Sequence, residues 1–111
     1  MSKSNRRFQR IPTPKGIWVA WQADNQQNVS RVRDLNVGGL FIATPTPAAL
    51  GTVVTVLLSV PEGEIRSKAV VRNVTPGEGM GVEFTGIAQQ DALRLERLIS
   101  RLLPEDSGAP A

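Results

Sequence analysis

Apolar residues recur at every second position through most of this chain, and the spacing turns helical only near the C-terminus. In the stretch 16–22, Ile17, Val19 and Trp21 fall on one side and Trp18 and Ala20 on the other. That pattern predicts a first strand with one tryptophan in the core and the other nearer the surface. A polar loop, Ala23 to Asn28, leads to a second strand over Val29 to Leu35, and Leu40 to Thr44 reads as a third. Thr44-Pro45-Thr46-Pro47 with Gly51 is a connection unsuited to a ladder. The next strand, Thr52 to Val60, is the clearest, with Val54, Val56, Leu58 and Val60 on one side. Pro61-Glu62-Gly63 is a turn into a fifth strand over Glu64 to Val74. Thr75-Pro76-Gly77-Glu78-Gly79 turns into a sixth, where Met80, Val82 and Phe84 alternate with Gly81 and Glu83. After Gly86, the positions Ala92, Leu95, Leu98, Ile99 and Leu102 follow helical spacing, with Arg94, Arg97 and Arg101 turned away. Asp91 suits the helix start, and Pro104 stops the helix.

Six short antiparallel strands and one amphipathic helix predict a mainly β fold, a small closed or nearly closed barrel with the helix over one opening. Residues 16–103 make up this unit, and residues 104–111 read as a disordered tail. Residues 1–15 read as a basic arm outside the barrel, kept from helix by Pro12 and Pro14 and free to fold over something bound on the outer surface. No internal repeat or second domain is evident.

Composition narrows the function classes. The sequence has 111 residues and neither cysteine nor histidine, which removes disulfides, zinc-thiolate sites and the commonest general base. Paired carboxylates, a phosphate loop and a nucleophile motif are also missing, so no reaction is assigned and a non-enzyme is expected. The longest apolar run, near Val53 to Val60, is too short to cross a bilayer, and no signal peptide is seen, so a soluble protein in a reducing cytoplasm is expected. Net charge is only +3, but Lys3, Arg6, Arg7, Arg10, Lys15, Arg31 and Arg33 precede Asp34 against one acid, Asp24. That bias favours an anionic partner, although such tails are often only solvated. Aromatics at 5% and no tyrosine make a poor stacking platform, so neither DNA nor RNA is expected.

Two stretches carry candidate chemistry. In Asp34-Leu35-Asn36-Val37-Gly38-Gly39, two polar side chains and a glycine pair interrupt strand-like sequence. The glycines can take positive φ and admit a close approach, and Asp34 and Asn36 share a side if extended. The segment is either a small polar platform or an ordinary hairpin corner. Arg6 and Arg10 supply guanidinium groups four residues apart. Their planar forks match phosphate oxygens or the O6 and N7 of guanine, and their faces stack on purines.

Arg6-x-x-x-Arg10 followed by Asp34-x-Asn36-x-x-Gly39 resembles the PilZ family of bacterial cyclic di-GMP receptors. Gly38-Gly39-Leu40-Phe41-Ile42, Gly51, Ala69-Val70-Val71-Arg72, Gly81-Val82-Glu83-Phe84 and the closing leucine-rich helix are similar to that family too. The likeness covers about Arg6 to Leu103. Asn36 stands where the family usually has serine. The resemblance implies a six-stranded PilZ-like barrel of the split-barrel type that binds cyclic di-GMP as a ligand, with no cofactor or metal. It implies that the arm folds over the nucleotide, Arg6 and Arg10 holding phosphate and guanine edges while Asp34, Asn36 and Gly39 meet the base. Arg7 and Gly38 are second-rank candidates.

Bland readings stand beside this one. Asn36 is as well suited to an Asx-type bond with its own backbone as to ligand contact. Arg31 and Arg33 read as a solvated strand face or as an extension of the positive field. Two functions follow: a cytoplasmic second-messenger adaptor whose ordered arm presents a surface to a downstream protein, or a PilZ-like protein–protein interaction domain that binds no nucleotide because Asn36 replaces serine.

Overall fold

The computed structural model describes residues 11–14, 16–24 and 26–103. Its strands are β1 (Ile11–Pro12), β2 (Trp18–Ala23), β3 (Gln26–Asn36), β4 (Gly39–Ala43), β5 (Val53–Val60), β6 (Gly63–Thr75) and β7 (Gly79–Phe84), followed by the helix α1 (Gln89–Leu102). All pairings are antiparallel, and β3 bonds to both β2 and β4, so β2 to β7 close into a six-stranded barrel with β1 as an extra strand. The mainly β architecture and the single C-terminal helix are those the periodicity predicts.

Alternation decides which residues fill the barrel. Val19 and Trp21 of β2, Val54, Val56 and Leu58 of β5, and Met80 and Val82 of β7 are buried, while Trp18 is 49% exposed. Trp21 carries a polar atom into this core, and its indole N–H donates to the Ser30 hydroxyl at 3.0 Å, so the group is not left unpaired. Two strands break the alternation. In β3 the inward residues are Ser30 and Val32 and then Leu35, three positions on. A register shift between Val32 and Asp34 absorbs the extra residue, Arg33. The same device operates in β6, where Val71 and the half-buried Val74 both face the core and Arg72 lies in the register shift between Val71 and Asn73.

Three features differ from the sequence expectation. The polar loop placed over Ala23 to Asn28 is mostly ladder, because β2 and β3 pair as far as Ala23 opposite Gln26. Asp24, at the tip, has φ 51°, a conformation that aspartate tolerates better than most residues. The arm does not stay wholly outside the barrel: Ile11 pairs with Leu35 and is buried, and Pro12 pairs with Asp34. From Leu35 to Arg31 β3 advances four residues while the opposing chain advances seven, from Ile11 to Trp18. β1 is therefore the continuation of β2 beyond a short excursion, which is held by Thr13 N–H donating to the Arg33 carbonyl and the Val32 N–H donating to Ile17.

The third difference concerns α1, which lies across the barrel end bearing the β3–β4 and β5–β6 turns, with Leu95, Leu98 and Ile99 buried. Arg94 and Arg101 are not simply turned away. Arg94 Nη1 donates to the Glu64 carbonyl at 3.1 Å, and Arg101 forks onto Glu62 at 2.5 and 3.1 Å. Asp91 accepts the Arg66 backbone N–H at 3.3 Å, adding a tie to β6 to its favourable place in the first turn. The hydrogen bond from Arg101 holds the Glu62 carboxyl below its usual value near 4.5, outweighing its partial desolvation. A lowered folded-state value means that the pair stabilises the fold above that usual value, and that this support is lost as pH falls through the lowered one. Arg101→Ala is thus expected to lower the melting temperature slightly at neutral pH, and melting curves taken down an acid series should show the difference from the native chain disappearing.

Candidate functional site

The Asp34–Gly39 segment is a hairpin joining β3 to β4, closed by the pair Asn36 and Gly39 around Val37 and Gly38. Neither loop residue is among those with positive φ, so this is not one of the primed turns that two-residue hairpins favour. Asn36 supplies the holding force instead. Its Oδ1 accepts the backbone N–H of Gly38 at 2.8 Å and of Gly39 at 3.0 Å. Of the two roles open to Asn36, the local Asx-type bond is therefore in place.

The glycine pair divides into two different requirements, and positive φ is neither. A Cβ on Gly38 would meet nothing closer than Asn36 Oδ1 at 3.5 Å, an ordinary contact. A Cβ on Gly39 would overlap the Val82 carbonyl oxygen and stand 3.1 Å from the Glu83 Cα. Gly39 is thus fixed by the close approach of β4 to β7, whose Glu83 it faces across the ladder.

Bulging in β3 also sorts the polar residues. With Val32 and Leu35 both inward, Arg31, Arg33 and Asn36 are left on the outer side, and Asp34 is half-buried between Pro12 and Phe41 in the ladder. Arg33 is more than a solvated residue. Its guanidinium lies 3.9 Å from the centroid of the Phe41 ring and 3.8 Å from the Glu78 carboxylate. Phe41 lies on the outer side of β4 yet is buried, and a Cβ on Gly79 would stand 2.5 Å from its ring. The glycines of β7 thus open seats on the outer wall: Gly79 for Phe41, and Gly81 for the side chain of Asn73.

Beside the turn runs a shallow groove of about 270 Å³, bordered by Asn36, Gly38 and Gly39 on one side and by Arg72, Asn73 and Glu83 on the other. On that far side Arg72 Nε meets Glu83 Oε1 at 2.6 Å. These last three residues were not among the sequence candidates. Their signal is the broken alternation around Arg72 and the glycines opposite, but only the β6–β7–β4 strand order brings them to the turn. Asp34, Asn36, Gly38 and Gly39 are gathered in one hairpin. Arg6, Arg7 and Arg10 lie outside the described residues. Ile11, which follows Arg10, is the first described residue and is fixed opposite Leu35. Among the described residues no group of histidine, cysteine, aspartate or glutamate could hold a metal ion, and no helix is long and apolar enough to cross a membrane.

Comparison with known proteins was made on both sequence and fold. A family model for the PilZ domain matches residues 4–101. No curated protein sequence matches significantly. Among solved structures, the PilZ domain of YcgR from Escherichia coli, determined with c-di-GMP, superposes with a TM-score of 0.68 at 19% identity, covering 85% of this chain and 88% of that one. The PilZ domain of CeSA from a cellulose-synthesizing bacterium gives 0.64 at 20% identity, covering 85% and 97%. The Bacillus subtilis inhibitor of motility, MotI/DgrA, gives 0.70 at 20% identity and 84% coverage, and this chain spans 49% of its length. It likewise spans 49% of K. pneumonia MrkH. These likenesses establish a shared barrel fold.

Proposed function

The chain belongs to the PilZ domain family, and on that premise we propose that it is a cyclic di-GMP receptor, a non-catalytic cytoplasmic adaptor of bacterial second-messenger signalling. The observation that carries this reading is β1. Ile11 is 5% exposed and faces Leu35, and Pro12 faces Asp34, so β1, which follows Arg10 in the sequence, lies beside the β3–β4 turn. One Cα step of about 3.8 Å separates Arg10 from that anchor. The nucleotide-bound PilZ domain of YcgR, whose barrel this chain shares, lends further support.

In this reading Arg6 and Arg10 engage phosphate oxygens and guanine edges, with Arg7 as a further cation. The Asp34 carboxylate is an acceptor for the guanine N1–H and N2 amine, and Asn36 offers its amide N–H where serine would offer a hydroxyl. Gly38 keeps the lip of the turn low, and Gly39 keeps β4 against β7. Two charge-assisted contacts at roughly 1.5–3 kcal/mol each, with stacking and base-edge bonds, oppose an ordering cost of about 1–2 kcal/mol for each arm residue fixed. The balance corresponds to micromolar or tighter binding, on the order of −8 to −10 kcal/mol. The ordered arm and barrel wall then form the surface that a downstream protein reads.

Asn36 variants test the turn's part in this. Asn36→Ser keeps a side-chain acceptor at the turn and is expected to bind cyclic di-GMP within about threefold of the native chain. Asn36→Ala removes both turn bonds and is expected to cost about 1–2 kcal/mol of stability and to weaken binding about tenfold. Calorimetric titration and urea unfolding read the two effects. If Asn36→Ser gains binding that the native protein lacks, the protein is instead an interaction domain silenced at this position.

A further inference from the structure

We propose that the outer wall formed by β2, β3 and β5 is a docking surface for an acidic, amphipathic segment of a partner protein. Val29, Ala20, Leu57 and Arg66 stand in one row across β3, β2, β5 and β6, each opposite the next. Trp18 stands two residues from Ala20 on the same face, opposite Arg31. Val29 is 67% exposed and Trp18 49%. An open groove of about 600 Å³ runs along Ala20, Val29 and Leu57 towards Arg66. A contiguous apolar strip on a soluble barrel, rimmed by polar groups, is the mark of an interaction site, and tryptophan is the commonest kind of anchor in one.

Charge selects the partner. Arg31 closes one side of the strip and Arg66 and Lys68 the other, Lys68 lying opposite Thr55 in the next row. Among the described residues Arg31 and Lys68 make no side-chain ion pair or hydrogen bond, and the Arg31 Nε is buried without an acceptor there. Glu64, the acid bordering this face, approaches Arg66 only to 3.9 Å. The wall therefore presents apolar side chains between the cations Arg31 and Lys68, with Arg66 paired to Glu64 only loosely and in an exposed position, complementary to a segment with apolar residues along one side and carboxylates flanking them. A second copy of this chain is a poor occupant, because a twofold interface would set these cations against themselves. A nucleic acid fits less well, since Trp18 offers a single ring and Val29 and Leu57 offer bases none to stack on.

This surface rests on the adaptor half of the function proposed above and not on the nucleotide, so it is tested without cyclic di-GMP. The full chain, isotopically labelled, is titrated with a short peptide carrying leucine and phenylalanine on one side and glutamate on the other. Saturable shifts are expected at the Trp18 indole and the Val29 and Leu57 methyls. Val29→Glu, at a site 67% exposed, is expected to melt like the native chain and to weaken binding about tenfold or more, and Arg31→Glu similarly. Equal binding of a peptide with lysine in place of glutamate, or of polyglutamate alone, would overturn the proposal. So would shifts confined to other faces, an unaffected Val29→Glu, the same resonances moving with duplex DNA but not the peptide, or self-association through this wall as concentration rises.

Discussion

Arg10→Ala is expected to weaken cyclic di-GMP binding by about a hundredfold or more while leaving thermal unfolding unchanged. Removing one guanidinium takes away charge-assisted hydrogen bonds and the stacking face together, and a hundredfold loss is about 2.8 kcal/mol, within the range of one such group. Arg10 outranks Arg6 because it directly precedes Ile11, which the Leu35 pairing fixes beside the turn. Little further chain needs ordering to use it. Arg10→Lys keeps the charge without the planar fork and should recover only part of the loss. Calorimetry on the three proteins reads the series. Native binding with equal affinity in Arg10→Ala would mean that the nucleotide is held elsewhere on the domain.

Gly39→Ala is expected to destabilise the fold by at least about 3 kcal/mol, a fall in melting temperature of roughly 12–24 °C for a domain of this size. The added Cβ would overlap the Val82 carbonyl oxygen, which is backbone and cannot swing aside like a side-chain tip. Relief requires β4 and β7 to separate, and that seam helps close the barrel. Gly38→Ala, one residue away, meets only Asn36 Oδ1 at 3.5 Å and should be nearly neutral. Differential scanning calorimetry of the two variants distinguishes a glycine needed for strand packing from one that merely sits in a turn.

Strand positions, inward faces and the helix were legible because a period of two or of 3.6 is written locally. The bulges were half-legible. Val32 and Leu35 are both apolar and three apart, which a regular strand cannot bury on one side, and the extra residue resolves the conflict. β1 was not legible: two residues carry no period, one of them is proline, and only the distant partner Leu35 makes them a strand. The turn motif could be read in one stretch. Arg72, Asn73 and Glu83 could not be joined to it, since they come from β6 and β7 and reach Asn36 only through barrel closure. The reason for Gly39 was hidden likewise, because it lies in the backbone of another strand.

Ligand recognition by the arm and the β3–β4 turn is tested most directly by calorimetric titration of the native chain with cyclic di-GMP. A saturable heat with a dissociation constant in the micromolar range or below, on the order of −8 to −10 kcal/mol, is predicted. No heat up to high micromolar nucleotide would contradict it.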